Sequence, residues 1–198
     1  RRDLFLARLN HRKHFMTRLF RIALATLAIG LSACGSTKPP PPAAATAVPA
    51  ALQPAAGEKR AFAVFARGVQ VYNCALAESG AAAWAFVEPQ AELLDSASSN
   101  AVIGTHGAGP FWQSTDGSKV IGKVQARADA PAAGAIPWLL LSKVSTEGTG
   151  KMAAVTSIQR INTVGGVAPA SGCATKEDAG KRVRVPYTSD YVFFIAGG

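Results

Sequence analysis

Apolar residues fall into two kinds of run along this chain, and both predict β-strands. In the first kind they alternate with other residues. Val69, Val71 and Asn73 alternate with Gln70, Tyr72 and Cys74, and Val183 and Val185 alternate with Arg182 and Arg184. Val120, Gly122, Val124 and Ala126 alternate with Lys123, Gln125 and Arg127, with Ile121 out of step. A period of two turns one face of each strand towards a core. The second kind is apolar throughout, as in Trp138-Leu139-Leu140-Leu141 and Tyr191-Val192-Phe193-Phe194-Ile195, and suits strands covered on both faces. Asp116-Gly117 is a hairpin turn that joins Phe111–Ser114 to residues 119–127. Helical periodicity is scarce, and residues 89–94 are read as one possible turn of helix. The pattern predicts one all-β domain over residues 58–198, an antiparallel sandwich or barrel of about nine strands with its own core.

One apolar run has a different character. Met16 is followed by Arg18 and Arg21, and residues 22–33 are then almost wholly apolar. That is the length of a signal-peptide core and too short to span a bilayer. It ends in Leu31-Ser32-Ala33-Cys34, which resembles the lipobox of bacterial lipoproteins. The resemblance implies cleavage before Cys34, diacylation of its thiol and acylation of the new amino terminus. Residues 1–33 are thus expected to be a signal peptide, with residues 1–15 upstream of a start at Met16. The alternative is an ordinary secretory signal with a chance cysteine. Gly35 stands where, in double-membraned bacteria, an aspartate would retain a lipoprotein at the inner membrane. The expected location is therefore the periplasmic face of the outer membrane. Residues 34–57 are rich in Pro and Ala, with Pro39 to Pro42 in series, and read as a semi-rigid tether.

The signal segment changes how charge and cysteines are weighed. The whole chain carries +9, but the 33 residues before Cys34 hold seven basic residues and one acidic one. Fourteen basic and 11 acidic residues remain, a net of +3 over 165 residues, which gives no reason to expect a nucleic-acid partner. After Cys34 only Cys74 and Cys173 are left. In an exported protein such a pair is expected to be oxidised. The bond would close a loop of about 100 residues, worth about 4–5 kcal/mol in the chain-entropy view. Two free thiols or a metal pair are the alternatives, and His106 as the sole histidine after Cys34 disfavours zinc. No metal and no cofactor is expected.

A second resemblance spans residues 69–194. It rests on Val71-Tyr72-Asn73-Cys74, Trp84-Ala85-Phe86 with Pro89, and Gly104-Thr105-His106 with Ala108-Gly109-Pro110 and Trp112. It continues through Asp116-Gly117-Ser118, Pro137-Trp138 with the three leucines, Ile158-Gln159-Arg160, Asn162-Thr163, Gly165-Gly166 and Cys173. It ends at Val185-Pro186-Tyr187 with Asp190-Tyr191. In this order the residues resemble an exported domain-of-unknown-function family, numbered 3455, found in bacteria and fungi. Gly107 departs from its pattern, in which an aromatic usually follows the histidine. The family implies no established activity. Some fungal relatives carry a malate dehydrogenase label, but this chain has neither G-x-G-x-x-G between a strand and a helix nor a βαβ rhythm.

Residues 104–118 hold the densest cluster of candidate chemistry. His106 can serve as acid, base or hydrogen-bond donor, and Trp112 offers a broad apolar face with one donor. The competing reading makes Gly-x-Gly-Pro a turn and His106 a structural histidine bonded to a carbonyl. Arg160 offers a bidentate fork for a carboxylate or sugar, or pairs internally with Asp190. Tyr187 with Asp190-Tyr191 has the look of a corner tied to nearby backbone. Catalysis would fall to His106 with a carboxylate such as Asp116, yet no G-x-S-x-G elbow or H-E-x-x-H is present. The expectation is a lipid-anchored, non-catalytic binding or structural module of the envelope. Its partner would be a small molecule, a sugar or an envelope protein. A hydrolase or carbohydrate-active enzyme is the alternative.

Overall fold

A computed structural model describes residues 47–198, so the expected signal peptide, the lipobox-like stretch with Cys34 and most of the expected tether lie outside the described residues. Within them the chain forms eight antiparallel strands, each paired with the next: β1 Glu58–Leu76, β2 Ala82–Leu94, β3 Val102–Gly107, β4 Phe111–Ser114, β5 Lys119–Ala128, β6 Trp138–Glu147, β7 Val155–Gly165 and β8 Arg182–Ala196. Strand β8 pairs back onto β1 and closes a barrel. Closure leaves no free edge to be covered. Among the described residues, the strand pairings that close the barrel and the core clusters lie within residues 48–196.

The eight strands agree with the expected count of about nine, and β1 is the longest of them. It runs unbroken for 19 residues, and the Val69–Cys74 alternation is only its second half. A side chain at Gly68 would collide with the Gln90 carbonyl of β2, so glycine there allows close strand approach, not a break. Residues 89–94 belong to β2, not to a helix. Pro89 opposes Gln70 beside a bulge that leaves Val87 unpaired, where a missing N–H is tolerated.

The apolar run that opens β6 is covered on both faces. Leu139 and Leu141 enter the interior with Trp112, Ile158, Tyr191 and Phe193. Trp138 and Leu140 pack outside, beneath Leu52 of a 3₁₀ turn, Ala50–Leu52. Gln159, buried on that outer side, donates to the Leu52 carbonyl at 2.6 Å and pins the turn.

The meander gives the barrel two unlike ends. At one, Met152 is buried and its N–H donates to Ser118 Oγ at 3.0 Å, while Asp116 accepts from Ser118 and from the Lys151 N–H at 2.8 Å. This clip joins the β4–β5 turn to the β6–β7 loop. At the other end lie the β1–β2, β3–β4, β5–β6 and β7–β8 connections. There Cys74 and Cys173 form a disulfide with Cα atoms 5.5 Å apart, holding the β7–β8 connection to the end of β1.

Candidate functional site

A cavity of about 370 Å³ opens at the disulfide end of the barrel. Its depth is set by alternation. The inward face of β1 continues from Val64 and Ala66 to Gln70 and Tyr72, and that of β8 runs through Tyr187, Ser189, Tyr191 and Phe193. Leucines 139 and 141, Ile136 and Val124 make much of the lining apolar. Three lining residues carry polar atoms that are buried without a hydrogen-bond partner among the described residues: Gln70 Nε2, Trp112 Nε1 and the Tyr191 hydroxyl. The Tyr187 hydroxyl faces Tyr191 and Gln70 without reaching hydrogen-bond geometry to either. Burial first, then Tyr191, pushes its pKa up. The corner expected at Tyr187 is therefore an inward side chain with no backbone partner.

His106 sits on β3 directly opposite Trp112 on β4. Its ring stacks on the indole at 4.5 Å and tilts against Tyr191 at 4.9 Å. Nδ1 lies 2.7 Å from the Phe111 carbonyl. A carbonyl only accepts, so in the neutral ring Nδ1 carries the proton and Nε2 is left as an acceptor. Burial pushes the imidazole pKa down to about 3; the Phe111 bond works against this shift and the nearby Arg160 charge adds to it. The ring is neutral across the physiological range.

Arg160 enters the same cavity from β7. It does not pair with Asp190, which accepts instead from Asn162 at 2.8 Å. Its Nε and Nη2 both donate to the Pro137 carbonyl, at 3.1 and 2.8 Å, which orients the guanidinium. Its positive charge is felt by Tyr72, His106 and Tyr187. The barrel thus gathers His106, Trp112 and Arg160 around one space.

A family model described as Protein of unknown function (DUF3455) matches residues 54–195. The chain belongs to the DUF3455 family. No curated protein and no solved structure matches it.

In this DUF3455 domain Asp116 lies in the β4–β5 turn, at the end of the barrel opposite the cavity mouth, and does not line the cavity with His106. Hydrogen bonds from the Lys151 N–H and from Ser118 hold the Asp116 carboxyl well below the usual carboxylate range. No Asp or Glu among the described residues lines the cavity. Nor, among them, does any group of three or more His, Cys, Asp or Glu stand ready to hold a metal ion.

Gly107 is filled from across the hairpin. A Cβ there would lie 2.6 Å from Cε1 of Phe111, whose ring occupies the space of a side chain. Gln70 and Arg127 also line the cavity without having stood out in the sequence, and Tyr191, read there only as part of a corner, lines it too. The available signal was Gln70-x-Tyr72, two polar side chains at strand spacing, in a strand whose preceding inward residues are apolar.

Proposed function

We propose that this domain is a non-catalytic binding module of the cell envelope that holds a small molecule in the mouth of its barrel. One observation carries the reading: buried polar atoms of Gln70, Trp112 and Tyr191, without partners among the described residues, border an otherwise largely apolar cavity. Buried donors without partners are costly, and a ligand that meets them recovers that cost. Small-molecule sites combine an apolar wall with a few convergent polar groups, and barrel mouths are common places for them. A hydrolase acting through His106 and a carboxylate has less support. The imidazole is held neutral by burial, its Nδ1 faces a carbonyl instead of an acid, and Asp116 is at the far end.

The envelope setting rests on the lipobox resemblance at Leu31-Ser32-Ala33-Cys34 and on the Pro/Ala-rich segment after it. We place the lipid on Cys34 and the domain on the periplasmic face of the outer membrane. Cys34→Ala is expected to release the protein from the membrane fraction; retention there contradicts the anchor.

For the module itself, residues 47–198 with labelled tryptophan are titrated against a broad panel of apolar and polar small molecules. Ligands are expected to move the Trp112 indole N–H resonance, and Val124→Trp at the mouth is expected to suppress the response. A folded protein whose Trp112 resonance no compound moves would refute the module.

A further inference from the structure

The charge of the cavity narrows the class of ligand, on the premise that the binding reading above is correct. Arg160 and Arg127 both line the space, and no carboxylate among the described residues does. Neither arginine makes a salt bridge with an acidic group among the described residues. Glu88, the acid nearest in β2, is engaged by Gln90 Nε2 at 2.7 Å. A guanidinium beside apolar walls, without a counter-ion among the described residues, favours an anion brought from outside.

The neutral groups lean the same way. Trp112 Nε1 can only donate, and the free Gln70 Nε2 also donates. Arg160 has its fork fixed on the Pro137 carbonyl, which spares its other N–H groups and removes much of the freedom that binding would otherwise cost. Donors outnumber acceptors, so the matching head is rich in acceptor oxygens. The other half of the ligand is set by the rim. Phe86, Val87 and Val124 line the cavity while remaining 54%, 44% and 49% exposed. Large apolar side chains at an entrance suit an apolar body that reaches out past the polar depth.

We propose that the ligand is an amphipathic organic anion, with its acidic head among Arg160, Gln70, Trp112 and Tyr191 and its apolar body between Leu139 and the Phe86–Val124 rim. A carboxylate and a sulfate or phosphate monoester share this chemistry.

The test follows the Trp112 indole resonance of residues 47–198 with four probes of one chain length, each below its micellar concentration: decanoate, decyl sulfate, decanol and decylammonium. Decanoate or decyl sulfate or both bind, and whichever binds tighter identifies the head. Decanol binds at least about tenfold more weakly, the scale of a lost charge-assisted hydrogen bond. Decylammonium gives no shift. Arg160→Met weakens the anions by about tenfold or more and leaves decanol unchanged. Should that variant misfold, Arg127→Met on the exposed rim weakens the anions by up to about fivefold. Added sodium chloride likewise weakens the anions in the unaltered protein but not decanol. Decanol binding as tightly as the anions overturns the anionic class while leaving a binding module. Anions that bind equally well without Arg160 and at high salt do the same. If none of the four probes binds, the amphipathic anion is wrong, and the broad panel above separately decides whether the barrel binds anything.

Discussion

The imidazole of His106 lies flat against the indole of Trp112, with ring planes 16° apart and Nδ1 turned to the Phe111 carbonyl. This packing keeps the ring neutral in the folded barrel, where its pKa is pushed down to about 3, whereas an unfolded chain protonates it near 6.5. Between those values the unfolded state binds the extra proton. Stability is therefore complete above about pH 6.5 and falls as the pH drops towards 3, by at most about 1.4 kcal/mol per pH unit. Urea unfolding of residues 47–198 is expected to show about 2 kcal/mol less stability at pH 5 than at pH 7. His106→Gln is expected to flatten that difference. Asp116 and Asp178, also held low, act with the same sign but only in the range where carboxylates titrate. An unchanged slope in His106→Gln would contradict the neutral, buried ring.

The disulfide between Cys74 and Cys173 closes a span of 99 positions. Removing it frees the β7–β8 connection from the end of β1 and restores that loop's entropy to the unfolded chain. Cys74→Ala with Cys173→Ala is expected to lose about 2–5 kcal/mol in chemical unfolding. Added reductant should bring the unaltered domain to the same curve. Coincident curves for oxidised and reduced protein would contradict this.

Gly107 and Phe111 form a steric pair. Gly107→Ala is expected to push the Phe111 ring aside and cost about 1–3 kcal/mol, the scale of overpacking. The displacement disturbs the carbonyl that His106 holds, so the imidazole resonances shift as well. Phe111→Leu in the same chain should recover part of the loss. Strict additivity of the two changes would show that the pair does not interact.

Asp116 offers a contrast with the cavity. Asp116→Ala removes the acceptor for the Ser118 and Lys151 groups and is expected to lower the unfolding midpoint by less than the disulfide change does. Probe binding at the mouth is expected to be unaffected. A loss of binding with an intact fold would mean that the two ends of the barrel are coupled.

Strand positions were legible where burial follows apolarity. Leu139 and Leu141 inside, with Trp138 and Leu140 outside, are what a run apolar on both faces implies. The hairpin at Asp116-Gly117 was legible from turn chemistry, with Gly117 at φ 89°. Closure was not, because nothing local marks β1 and β8 as partners so far apart in sequence. Within the site, His106, Trp112 and Arg160 stood out by residue type. Gln70 did not, because an inward polar residue in a barrel reads like an outward one on a sheet. Only the positions before and after it, Ala66 and Cys74, tell the two apart.

The ring that β8 completes also governs how the domain is made. Phe62 opposes Phe193 and stacks on it at 4.6 Å, so the first strand finds half of its hydrogen bonds only in the last. A chain emerging from its amino end therefore holds β1 half-paired until synthesis is nearly over, and no fragment ending before Phe193 has a complete wall. Contacts this distant in sequence fold slowly. Under the export proposed above, that delay is an advantage: the chain stays open, and fit to be threaded across a membrane, until its final residues arrive.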